Sequence, residues 1–421
     1  MLPFNLEVTR DTITSHAGLA LLGEFCIGLD LLRVIDRCMP EPGSGAGYQA
    51  SEYVFALVLM LTGGGRSLED IREIRSDEGL REVLPLKCVP SSDAAGDWLR
   101  RMGEGRGLEG LAVASRRFLK RGLKYDGIKD YTLDIDATGI AAQKEAAAMT
   151  YKGYTGYMPI IGNLAENGLV IGDEFREGNE SPGSRNLEFI KYCIRQMPRG
   201  KRIRALRADA ASYQADIINF CDQKEMEFAI GADLDEAVVR AIQSLPEGEW
   251  RPYRGGHIAE TVHCMNRTPQ AFRLIVARRP YQGRLFGEED RKLHYTAIAS
   301  NQTGAADVVM DWYHQRGECS ENRIKELKIG FGMERMPCGQ TVANAVFFRI
   351  GAMAYNIFRL FALKTLAVGW HKHQVQTLRW RLFQTAGKVV GHANRVYLKV
   401  NRSLHALFDE IRLRIWEFAQ T

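Results

Sequence analysis

Tyr131-Thr132-Leu133-Asp134-Ile135-Asp136-Ala137-Thr138 is where the chain changes its period. Apolar and polar residues alternate here, so the segment reads as a β-strand ending in acidic residues. Strand-like segments follow at 157–164 and 169–176, with Glu166-Asn167-Gly168 between them as hairpin-turn chemistry. A helix at 186–197 comes next, then a strand at 203–208 that delivers Asp209, a helix at 213–223 and a strand at 228–232. Three consecutive strands followed by alternating helix and strand predict a mixed α/β sheet.

Upstream, residues 1–125 read as short helices. The span 51–62 is apolar nearly all round, opens with Ser51 as N-cap and predicts a buried helix. Gly63-Gly64-Gly65 breaks it, and Ser67-Leu68-Glu69-Asp70 starts another helix with a capping-box pattern. Short helices at 77–83 and 91–102 give an organisation like helix-turn-helix. Arg116, Arg117, Lys120, Arg121 and Lys124 close the region with charge suited to phosphates. Downstream, 250–265, 271–278 and 294–300 are strand-like with no helical period between them, which predicts an antiparallel β insertion. Residues 340–366 are long and apolar and predict a buried helix.

Composition bounds the function classes. Of 421 residues, 45% are hydrophobic and 25% charged, the balance of a folded globular protein rather than a disordered one. No uncharged apolar run reaches membrane-spanning length, and the N-terminus lacks the basic and apolar regions of a signal peptide. The eight cysteines are scattered with no C-x-x-C pair, which predicts reduced thiols and a cytoplasmic setting. Net charge is +5, but from Asn356 onward eleven Lys/Arg stand against three Asp/Glu. With Trp370, Trp380, Phe383 and Tyr397 interleaved, this tail suits a polyanion partner, or else it solvates the outer faces of helices. His371 and His373 read as part of that basic segment rather than as a metal site.

Three carboxylates stand out by position. Asp136 ends the first strand, Asp209 ends a later one 73 residues on, and Glu321 lies 112 residues further on the polar helix at 312–328. Carboxylates at the carboxyl ends of strands converge on the crevice of an α/β sheet. Hard oxygen ligands so placed suit two Mg²⁺ ions, with Mn²⁺ as a substitute, clamping the attacking and leaving oxygens of phosphoryl transfer. Asp134 shares the strand face with Asp136, and both remain candidates for first ligand. The polar helix also has a plainer reading, a solvated face with Glu321 and Lys325 as an i,i+4 pair.

Asp136-Ala137-Thr138, the strand-end Asp209 and the helix around Glu321-Asn322-Arg323-Ile324-Lys325-Glu326-Leu327-Lys328 resemble DDE transposases of bacterial insertion sequences. The group is the one with a Tyr-Arg-Glu-Lys signature, bacterial relatives of the piggyBac transposases. Tyr313, Arg316, Glu321 and Lys328 fill its positions, but four residues rather than three separate Arg316 from Glu321. The extra residue predicts a π-bulge or break near Gly317. The resemblance implies an RNase H-like core with a β insertion and Mg²⁺-dependent cleavage and strand transfer at terminal inverted repeats. It further implies phosphate contacts from Tyr313, Arg316 and Lys328, a homodimer in the synaptic complex, double-stranded end and target DNA as partners, and a nucleoid setting. Some members of the group stack a flipped base on an aromatic of the insertion, for which Trp250 is a candidate beside its alternative as a buried residue. The division then runs: 1–125 helical and DNA-binding, 126–240 first part of the core, 241–303 β insertion, 304–366 second part of the core with the catalytic Glu helix, and 367–421 a basic helical tail. An RNase H-like nuclease or resolvase without strand transfer, and a non-catalytic DNA-binding descendant, are the alternatives.

Overall fold

The computed structural model describes residues 2–43, 47–84, 86–124, 126–280, 293–317, 321–393 and 395–420. The chain forms two compact units: residues 125–139 and 149–324 make one, and residues 1–124, 140–148 and 325–421 the other.

The first unit is built on a nine-stranded mixed sheet with helices packed on it. Its strands in chain order are β1 (Asp130–Ala137), β2 (Ile160–Leu164), β3 (Val170–Glu174), β4 (Arg202–Ala208), β5 (Glu227–Gly231), β6 (Arg251–Tyr253), β7 (Gly256–His263), β8 (Phe272–Pro280) and β9 (Leu293–Ser300). Across the sheet they run β6-β7-β8-β9-β5-β4-β1-β2-β3. β1 is antiparallel to β2, and β2 to β3, through the turn that Gly168 completes at φ +81°. β1 is parallel to β4, and β4 to β5; the helix Asn186–Gln196 leads from β3 into β4, and Ala215–Gln223 crosses from β4 to β5. The strands expected as an insertion are a continuation of this same sheet. β9 pairs antiparallel with β5, and β8, β7 and β6 follow as a meander. The meander supplies partners for the backbone groups that would otherwise line the open edge of β5. On one face, Ile258, Ile275, Ala277 and Ile298 pack under Ala306, Val309 and Met310 of the helix Ala306–Arg316.

The second unit is helical and draws on both ends of the chain. The predicted buried helix is Ala50–Gly63, with all but two residues buried. Its N-cap is Gln49, boxed with Glu52, and not Ser51, whose hydroxyl instead donates to Asp36 at 2.8 Å. Ser67 and Asp70 do form a capping box, and Ser91 caps Ser92–Glu104. The helix Thr341–Thr365 is long and apolar enough to cross a membrane, but 83% of its most apolar window is buried. It packs against Ala50–Gly63, Ser92–Glu104 and Gly107–Leu123. Thus its residues belong with the N-terminal helices rather than with the α/β core, as the division at 304–366 had it, because an all-round apolar helix needs several helical neighbours. The tail is also not wholly helical. Gly387–His392 and Arg395–Val400 form a hairpin that Thr12–Thr14 extends, before the helix Arg402–Ala419. The alternation in Arg395-Val396-Tyr397-Leu398-Lys399-Val400 is the period of a half-exposed strand.

Two contacts hold this unit's crossings. Gly18 lies where a Cβ would stand 1.8 Å from the Leu382 carbonyl oxygen, so the backbones meet there only because the side chain is absent. Arg379, 4% exposed, donates to the carbonyls of Leu61 and Thr62 at 2.7 Å and of Gly330 at 2.5 Å. It thereby satisfies orphan carbonyls at the end of the Ala50–Gly63 helix. Burial, with Arg66 nearby, pulls the Arg379 guanidinium down to about 10.

Candidate active site

Ile135 and Ala208 are paired in register on the parallel strands β1 and β4. Asp136 and Asp209, the next residue on each strand, therefore leave the sheet side by side at its carboxyl edge, on strands about 4.8 Å apart. Asp209 also opens the short turn Ala210–Ser212, its carbonyl accepting from the Ser212 amide at 3.0 Å.

Asp134, on the same face, is committed elsewhere. It is fully buried, and both its oxygens accept from Arg207, at 2.7 and 2.8 Å. Arg207 is its in-register partner on β4 and donates a further bond to the Trp312 carbonyl at 2.7 Å. A bidentate pair with this third bond is a structural clamp between sheet and helix. The Asp136 side chain is 19% exposed instead.

The helix Ala306–Arg316 brings two more side chains to that edge. Arg316, buried, lies 3.2 Å from the Asp136 carboxylate and donates to the Ile135 carbonyl at 3.3 Å, while its buried Nε has no hydrogen-bond partner among the described residues. Burial works most strongly against the Arg316 charge, but Asp136, Tyr313, Asp209 and Asp134 together outweigh it and the guanidinium is held above its usual range. The Tyr313 hydroxyl stands 2.8 Å from where a Cβ on Gly231 would be, beside the backbone of Asp209, so glycine is what leaves it room. Tyr313 is raised above its ordinary value, first by burial, and stays a hydrogen-bond donor.

Past Arg316 the helix is irregular. Gly317 and Glu321 both have π-helical hydrogen bonding, and residues 318–320, which hold most of the extra length predicted to bulge, lie outside the described residues. Glu321 is exposed, and its Oε1 is 3.9 Å from where a Gly317 Cβ would be. Two residues on, Arg323 donates to the carbonyls of Leu164 at 3.0 Å and Ala165 at 2.7 Å, tying this helix to the β2–β3 turn.

The carboxylates act on one another. Burial lifts Asp136 from 3.8 to about 6; Arg316 opposes the lift, and the charges of Asp209 and Glu321 add to it.

A family model described as transposase DDE domain group 1 matches residues 4–415. The chain belongs to that family. Among solved structures, its fold is similar to that of a piggyBac transposase determined by cryo-electron microscopy in a synaptic complex with hairpin DNA. The TM-score is 0.51 at 11% identity, covering 86% of this chain and 79% of that one, so the likeness speaks for the fold. No curated protein sequence matches the chain.

Of the residues predicted for the site, Asp136, Asp209, Arg316, Tyr313 and Glu321 form one electrostatic cluster in the α/β unit. Lys328 falls in the helical unit, half-buried on the π-helical turn Glu326–Gly330. Trp250 is 9% exposed, with the Arg278 guanidinium 4.1 Å above its ring, and so is a packed residue rather than an open stacking face. Arg207 and Arg323 escaped the sequence reading. Arg207 is visible only through strand register, whereas Arg323 sits inside the quoted signature. Among the described residues no three His, Cys, Asp or Glu side chains close into a metal-holding group. The donor set still fits a hard divalent cation in its chemistry. It offers oxygen ligands at adjacent strand ends, and the repulsion that lifts Asp136 is what such a cation relieves.

Proposed function

We propose that this family member is a DNA transposase that binds terminal inverted repeats and carries out Mg²⁺-dependent cleavage and strand transfer. The observation that carries the reading is the exit of Asp136 and Asp209 side by side from adjacent parallel strands, with Glu321 in electrostatic reach. Asp136, Asp209 and Glu321 would hold the metal. Bound there, two Mg²⁺ ions would supply activation of the attacking oxygen and stabilisation of the leaving one.

The chain's own residues do the rest. Arg316 orients the Asp136 carboxylate through their ion pair and fixes its strand through the Ile135 carbonyl. Buried this way, it positions a ligand more than it reaches for DNA. Tyr313 offers a protonated hydroxyl beside Asp209, suited to a phosphate oxygen, and Lys328 is proposed as a further phosphate contact. Arg323 keeps Glu321 near the sheet. The piggyBac transposase of similar fold was captured in a synaptic complex with hairpin DNA, which supports a two-copy assembly on two DNA ends here and makes a hairpin intermediate worth assaying. DNA in the nucleoid is the expected setting.

The test is cleavage of duplexes carrying the sequences that flank the reading frame. Asp136→Ala, Asp209→Ala and Glu321→Ala should each abolish Mg²⁺-dependent nicking while the protein still binds the duplex. Full cleavage by any of the three removes that residue from the site. Cleavage without joining to target DNA would leave a nuclease.

A further inference from the structure

Strands β8 and β9 run on past the carboxyl edge of the core. Gly231, the last residue of β5, pairs with Ile298, yet β9 begins at Leu293 and stays paired with β8 through His294–Arg279 and Leu293–Pro280. At roughly 3.4 Å per residue, the His294–Arg279 pair stands about 14 Å beyond Gly231.

The face of this projection follows from register. Asp134, Arg207, Ala229 and Ser300 are paired in one row across β1, β4, β5 and β9. Every second residue shares that face, so Asp136 at one side and Ile298, Thr296 and His294 at the other belong to it. Pairing across β8 adds Ile275, Ala277 and Arg279. Near the core the helix Ala306–Arg316 covers this face. Beyond it the face turns basic, with Arg279 and His294 exposed.

A third basic side chain arrives from the β6–β7 turn. Arg254 has φ +43° and Gly255 has φ +75°, so both central residues of this two-residue turn are left-handed. Hairpin turns of that shape favour asparagine or glycine, and an arginine there is held against its own backbone preference. Residues strained in this way cluster at functional positions. The Arg254 side chain is half exposed and reaches 2.9 Å from Asp311, which also accepts from the Tyr253 hydroxyl at 2.5 Å. Among the described residues Arg279 has no ion-pair partner, and its stem lies where a Cβ on Gly256 would approach it to 2.9 Å. The field is positive enough to be felt nearby. Burial, then Arg254 and Arg279, hold His314 below its usual value.

We propose that Arg254 and Arg279, with His294 beside them, form a shelf that grips the phosphate backbone of DNA leading away from the carboxylates. This rests on the reading of Asp136, Asp209 and Glu321 as the cleavage site. The shelf also lies two to four strands aside from the carboxylates, about 4.8 Å each, so the separation is about 17–24 Å; with one phosphate per about 3.4 Å of each strand, the contact falls about five to seven phosphates from the one cleaved.

The test uses a fluorescein-labelled duplex carrying the sequence that flanks the reading frame. Binding is measured against salt for the wild type, Arg254→Gly, Arg279→Ala and the double variant. Arg254→Gly relieves the turn, so its melting temperature should hold or rise while affinity falls; an unfolded variant is thereby told apart from a shelf without its charge. Each arginine lost should weaken binding about five- to tenfold and flatten the logarithmic salt slope by about 1. Neutral methylphosphonates at the fifth to seventh phosphates should weaken wild-type binding and add nothing in the double variant. Unchanged affinity and slope in the double variant overturn the shelf. Wild-type protein that binds this duplex but does not cut it in Mg²⁺ overturns the reading of the carboxylates, while the binding arm still decides the shelf.

Discussion

Replacing Asp136 by asparagine should stabilise the metal-free protein while abolishing cleavage. The Asp136 carboxyl is lifted from 3.8 to about 6, burial being the main cause and Asp209 and Glu321 adding to it. At about 1.4 kcal/mol per pH unit, that difference costs the folded state about 3 kcal/mol once the group is ionised. The sign follows from proton binding. Between pH 3.8 and about 6 the folded state holds a proton that the unfolded state has released. Stability is therefore full below the lower value and is lost as pH rises through the upper one. Asparagine copies the protonated carboxyl at every pH and keeps an acceptor for Arg316. Chemical denaturation in chelator from pH 4 to 8 should thus give wild type and Asp136→Asn equal stability at the acid end. The variant should be ahead by about 3 kcal/mol at neutral pH. Adding Mg²⁺ at about 100 times its dissociation constant should return about 2.7 kcal/mol to the wild type and much less to the variant. A variant less stable than wild type at pH 7, or one whose stability keeps the wild-type pH dependence, would refute the reasoning.

Asp134→Ala should behave in the opposite way. It strands the buried Arg207 charge and should cost about 3–5 kcal/mol in denaturant unfolding, with any loss of cleavage following from instability. Arg379→Ala leaves the carbonyls of Leu61, Thr62 and Gly330 without their donor and should cost about 3 kcal/mol, read as a lower melting temperature. Gly18→Ala drives a methyl into the Leu382 carbonyl, so the two backbones must separate; a loss of about 1–3 kcal/mol is expected in the same assay. Arg316→Lys keeps the charge but not the planar reach to both Asp136 and the Ile135 carbonyl, so Mg²⁺-dependent cleavage should fall about tenfold or more while duplex binding holds.

The acidic pair was legible because strand periodicity and strand ends are local properties. Asp136 and Asp209 could be placed at the carboxyl edge without knowing which strands were neighbours. Asp134 could not be told from Asp136 on the same grounds, since two residues apart on a strand they share a face. What separates them is Arg207, 73 residues away and visible only once β1 and β4 are in register. The apolar run at 340–366 announced burial, but not that its neighbours lie more than 200 residues upstream. In the tail, basic composition masked a period-two pattern, and the hairpin at 387–400 was read as helix. The meander was legible as strands but not as an extension of the core sheet, because pairing with β5 is a long-range choice.

The discontinuous make-up of the helical unit also sets a timetable. Its N-terminal helices leave the ribosome first, carrying the nearly all-apolar Ala50–Gly63, but the helix that buries them, Thr341–Thr365, is made last but for the tail. The α/β unit lies wholly between them and can condense as soon as β9 and the helix after it have emerged. For most of synthesis the N-terminal segment is a half-built core awaiting its centre. A chain cut short between residues 325 and 340 would hold the residues of the carboxylate cluster yet have no finished helical body. Such fragments should be the ones that aggregate or draw chaperones, and a premature stop in that stretch is accordingly more harmful to solubility than to the local geometry of the acids.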